Sequence, residues 1–133
     1  MALEYTWDKF IFSAEYGKWY SGLNSNLPGF LTRTTISDRL YGMVNYRISD
    51  WLQTGVYYSL LYPSVNSHSG ATNQMNDLAL SFRIDLNKHW ILKIEDHLLY
   101  GTAGLSTALN NNQPLSTLSP LWNAFIVKTT VYF

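Results

Sequence analysis

The 133-residue sequence has no cysteine, four prolines and only 14% charged side chains. Without cysteine there is neither a disulfide nor a thiolate metal site. The charged fraction lies well below the roughly 25% of ordinary globular domains. Nine basic side chains balance nine acidic ones, so the basic footprint of a nucleic-acid binder is missing and no nucleic-acid partner is expected. No apolar run approaches the roughly 18 residues of a membrane-spanning helix, which removes the helical membrane class. The opening residues Met1-Ala2-Leu3-Glu4 carry no charged n-region followed by an apolar stretch, so the expectation is a removed leader or a sequence that begins partway through something longer.

Chemical constellations are missing too. His68, His89 and His97 lack metal-ligand spacing. There is no G-x-S-x-G elbow, phosphate-binding glycine loop or H-E-x-x-H. Glu95 and Asp96 are adjacent, and on a strand neighbours point to opposite faces, so they cannot act as an acid pair. The sequence is read as a non-enzyme with no metal and no cofactor.

What is abundant is aromatic and alternating. Ten Tyr, five Trp and six Phe make up 16% of the chain. In "DLALSFRIDL", Leu78, Leu80, Phe82, Ile84 and Leu86 alternate with Asp77, Ala79, Ser81, Arg83 and Asp85, the period of a strand with one apolar and one polar face. The same period predicts strands over residues 9–20, 31–48, 51–62, 77–87, 90–102 and 122–133, with a stub at 2–6. The fold class is therefore all-β, an antiparallel up-and-down meander.

The links between strands alternate in length. Ser49-Asp50 and Asn87-Lys88 read as tight turns, whereas 21–30, 63–76 and 103–121 are long, polar and low in charge. In a meander this sorts every long loop to one end, as in outer-membrane barrels. Aromatic residues gather at both strand ends: Tyr5, Trp7, Phe10, Trp51, Trp90 and Phe133 toward the short turns, and Tyr16, Trp19, Tyr20, Tyr58, Tyr62, Tyr100 and Trp122 toward the long loops. Two bilayer interfaces select such girdles.

Through "NAFIVKTTVYF", "VNYRISDWLQTGVYYSLLYP", "LALSFRIDLNKHWILKIEDHLLYGTAGL" and "FSAEY" the chain resembles the C-terminal part of a Gram-negative outer-membrane porin. The resemblance implies a transmembrane β-barrel in the outer membrane, in contact with its lipid. It implies passive diffusion of small hydrophilic solutes, and a terminal strand read by the barrel-assembly machinery through Phe125, Val127, Val131 and Phe133. Thr129 departs mildly from that terminal pattern. Six strands leave two open edges, so the single segment 1–133 is expected either to lack upstream strands of a larger barrel or to complete one as a homo-oligomer.

If the apolar face meets lipid, the opposite parity lines a lumen: Glu15, Arg39, Arg47, Arg83, Asp85, Lys93, Glu95, His97 and Lys128. Five basic against three acidic groups predict a weak anion preference, unless cross-strand pairs such as Arg83 with Glu95 or Lys93 with Asp85 neutralise one another. Asp96 falls on the apolar side, which predicts a local bulge that turns it inward or a contact with a partner subunit. The long loops are expected to fold inward as a constriction or stay outside as a binding surface. Two other readings compete: a soluble calycin-like barrel around an apolar ligand, with the faces inverted, and a non-conducting structural or adhesive outer-membrane barrel.

Overall fold

A computed structural model describes residues 1–23 and 33–133. It is an all-β antiparallel meander of seven strands: β1 (Ala2–Trp7), β2 (Phe10–Leu23), β3 (Arg33–Arg47), β4 (Leu52–Tyr62), β5 (Met75–Asn87), β6 (Trp90–Tyr100) and β7 (Leu121–Val131). Each strand pairs only with its neighbours in sequence, and the sheet is not closed. Three short 3-10 turns, Ala71–Asn73, Thr107–Asn110 and Leu115–Thr117, lie in the two long loops after β4 and β6. Residues 24–30 of the predicted first long loop, and the predicted strand start at 31–32, lie outside the described residues.

The stub is a full partner strand, paired with β2 from Ala2↔Glu15 to Trp7↔Phe10. The turn between them is two residues long, with Asp8 in the left-handed region at φ 49°, a conformation that a short aspartate tolerates. Some strand bounds move by a few residues: β7 ends at Val131, two residues before the aromatic terminus, and β5 begins at Met75. A register shift lies between Asp85 and Asn87, beside the short turn into β6, where a bulge helps to end pairing.

Alternation along the strands becomes two unlike faces. Leu80 and Leu98 are 45% and 49% exposed, whereas Ala79 and His97, one position away, are 1% and 7% exposed. The open apolar face carries Leu40, Val44, Val56, Leu78, Phe82, Phe125 and Val127 as well. Cross-strand registry makes it continuous, since Val44 faces Val56 and Val56 faces Leu80. Among the described residues the buried hydrophobic side chains are only Ala79 and Leu99. A chain of this length could bury most of its apolar surface if it folded for water. This one leaves it bare, which marks a face that needs another apolar phase or partner.

Candidate functional site

The polar face is the more enclosed one, and cross-strand registry arranges it in rows. Nearest the short turns, Arg47, Gln53, Arg83, Lys93 and Lys128 stand opposite one another across β3 to β7. Neighbouring strands lie about 4.8 Å apart, so three of these cations sit on adjacent strands where like charges repel. The only acidic partner in this row is Asp85, two residues along β5, whose carboxylate accepts from Arg83 Nε at 2.9 Å. The expected pairs Arg83–Glu95 and Lys93–Asp85 do not form: the described ion pairs are Arg83–Asp85, Lys18–Asp38 and His97–Asp77. A two-residue spacing puts Arg83 and Asp85 on the same face of one strand, and that local contact is made in preference to the cross-strand ones.

One row further from the turns stand Asn45, Gly55, Ser81 and Glu95. Gly55 leaves space that the Asn45 side-chain oxygen occupies, so a Cβ there would push that oxygen aside. Above it, His97 stands between Ala79 and Ala124, whose small side chains leave room for the imidazole. The ring reaches diagonally to β4 and β5: Nδ1 is 3.0 Å from Asp77 Oδ1 and 3.0 Å from the Tyr57 hydroxyl. That hydroxyl donates to Asp77 Oδ2 at 3.2 Å. With a carboxylate facing it, Nδ1 carries the ring proton in the favourable tautomer. His97, expected as a pore-lining group, is therefore packed into the sheet surface rather than presented to an open space.

Glu15 and Arg39 occupy the half toward the long loops. Glu15 stands opposite Tyr41, and Arg39 lies over the Trp19 ring at 5.4 Å from its centroid. A hollow of about 410 Å³ is bounded here by Glu15, Trp19, Arg39, Tyr41 and Asp77. Toward the short turns, Tyr41, Asn45, Tyr57, Arg83, Lys93 and Glu95 bound a second hollow of about 260 Å³. Trp19 and Trp122 share this face by register, so neither belongs to an outer aromatic girdle.

The residues missed in the sequence reading are Asp77, Tyr57, Tyr41 and Glu4. Parity alone would have found them, since Asp77 precedes Leu78 and Glu4 faces Ser13. Adding Glu4 and Asp77 to Glu15, Asp85 and Glu95 brings the acids to five against five basic groups, among the described residues whose side chains are placed. Among those residues the two signs balance. What remains is segregation, with Arg47, Arg83, Lys93 and Lys128 in one row.

At the far end the long loops reach over the polar face. Thr102 N–H donates to Ala71 O at 2.7 Å, joining the loop after β6 to the one after β4. Trp122 Nε1 donates to Gly101 O at 3.1 Å, and Gly104 lies against Met75 and Leu61. Thr102 and Leu99 are buried beneath. The opening of the loop after β6 therefore folds inward.

The apolar face holds the remaining anomalies. Asp96 is exposed and stands in one row with Val44, Val56, Leu80 and Phe125. The expected bulge does not exist at this position, since register is continuous from Ile91 to Tyr100. Its carboxylate instead accepts from Asn123 Nδ2 at 3.1 Å. Phe125, Val127 and Val131 point to the same open face, and Phe133 lies beyond the strand, fully exposed. No known protein family, characterised protein or solved structure matches the chain, so function is argued from these two faces.

Proposed function

We propose that this chain is one wall of a water-filled outer-membrane channel, its apolar face toward lipid and its polar face toward a lumen, through which small hydrophilic solutes diffuse passively. The observation that carries the reading is the inverted burial: Leu80, Phe82 and Leu98 are open while Ala79, His97 and Asn45 are enclosed. A soluble barrel around an apolar ligand needs the opposite arrangement. Dimensions support it as well. The 11 residues of β6 span about 33 Å at roughly 3.3 Å per residue, and a tilt of about 40° leaves a height near the roughly 25 Å apolar band of such barrels.

Charge preference, in this reading, comes from arrangement rather than total. The cross-strand row of Arg47, Arg83, Lys93 and Lys128 attracts anions locally although the charges counted on the face balance. In a closed channel containing this wall, replacing the four by Gln removes the anion bias, read as the reversal potential across a KCl gradient. Cation selectivity before substitution overturns the charge assignment. The wall assignment has its own test, flotation with phosphatidylcholine vesicles: the chain rises with the lipid, and a chain that stays soluble and monomeric without detergent is not a membrane wall. Phe125, Val127, Val131 and Phe133 are proposed as the stretch that the barrel-assembly machinery reads.

A further inference from the structure

The open edges of the sheet constrain what closes it. Both edge strands run the same way: β1 descends from the long-loop end to the turn at Asp8, and β7 descends from Leu121 beside Tyr100 to Val131 beside Trp90. Seven strands in a strict meander make this unavoidable. Tyr132 N–H donates to His89 O and Gly101 N–H to Pro120 O. By alternation, the backbone groups of Leu121, Asn123, Phe125, Val127, Thr129 and Val131 face outward along the free edge of β7.

The other edge is stepped. β1 covers β2 only as far as the reciprocal pair of Met1 with Tyr16, and Gly17 to Leu23 of β2 continue past it with no strand on that side. Backbone groups left unpaired in hydrocarbon are costly, so both edges must be covered for the sheet to stand in a bilayer.

From this we infer that the two edges are closed by an odd-numbered run of antiparallel amphipathic strands that is not a second copy of this chain. A second copy in the same orientation sets its β7 against β1, and those two strands are parallel. Every further copy repeats that seam, whereas bacterial outer-membrane barrels are antiparallel with an even strand count. An inverted copy would put long loops on both sides of the membrane. An odd complement removes that fault: its end strands run antiparallel to β1 and β7.

This inference rests on the membrane-wall reading, and the test separates the two. The full chain is inserted into phosphatidylcholine vesicles beside two extended chains, one with residues 10–23 appended after Phe133 through an Asn-Gly turn, the other with residues 10–47 appended in the same way. Closure is read as a compact, SDS-resistant band whose mobility shifts on heating. Eight strands are expected to give the shift, and seven and nine strands to lack it. A shifting homo-oligomer of the unaltered chain overturns the inference, as does identical behaviour of the eight- and nine-stranded chains. Failure of the unaltered chain to leave the aqueous phase overturns the membrane-wall reading instead.

Discussion

Asp77 shows how much of a polar face depends on single contacts. Its carboxylate takes bonds from His97 Nδ1 and the Tyr57 hydroxyl, and both it and the imidazole are largely shielded. An amide cannot accept both as well, so Asp77→Asn is expected to cost about 1–3 kcal/mol, and Tyr57→Phe, which removes one hydroxyl, about 0.5–1.5 kcal/mol. Urea unfolding in detergent micelles measures both, and equal midpoints for the two variants and the parent would contradict the geometry. Gly101 makes a different demand: its φ is +107° and a Cβ would strike the Gln74 carbonyl. Gly101→Ala should destabilise by more than about 1 kcal/mol, detected as faster proteolysis of the loop after β6. Parity in the sequence assigned His97 to the polar face. It could not say that the imidazole is held against β4 and β5, because that depends on which residues of three strands share a row.

At the scale of the strand, the clearest experiment is on Asp96. It stands amid Val44, Val56, Leu80 and Phe125 with a single hydrogen bond from Asn123. If that face lies in lipid, Asp96→Leu stabilises the protein by on the order of 1–2 kcal/mol, since an acid in the apolar band is unfavourable, though less so than a base. In water the same change adds one more bare leucine and promotes aggregation. Unfolding free energy in vesicles, compared with solubility without lipid, distinguishes these. Strand existence was legible from period 2 because one face is uniformly apolar, and slipping by one residue would invert it. The extent of β1 was not legible: six residues ending at Trp7 carry too few alternations to separate a strand from a stub. Its pairing is settled by the tight turn at Asp8 and the ladder to β2. The Arg83–Asp85 pair was missed for a related reason, since the two meet along one strand while the sequence reading looked across strands.

For the molecule as a whole, the segregation of charge matters more than its sum. Counting residues on one parity gave an excess of cations because Glu4 and Asp77, although inside the expected bounds 2–6 and 77–87, were left out of the count. With them the totals balance among the described residues whose side chains are placed, and the row of Arg47, Arg83, Lys93 and Lys128 keeps a sign. Reversing Arg83 to Glu is therefore expected to swing ion selectivity in a completed channel far more than reversing Arg39 to Glu, an equal change of charge at a site that lies apart over Trp19. The reversal potentials of the two variants make the comparison. An equal response at both sites would show that net charge, and not placement, governs permeation.

The unequal links between strands have one more consequence. Two-residue corners at Asp8-Lys9 and Lys88-His89 offer a protease nothing to grip, while the segments from Pro63 to Gln74 and from Gly101 to Pro120 are long enough to enter its cleft. Neither segment contains Lys or Arg, so subtilisin, added to sealed vesicles, would cut chains inserted with one polarity and spare those inserted with the other, whereas trypsin would leave these segments whole. The digestion pattern reports directly which way the protein crosses the membrane.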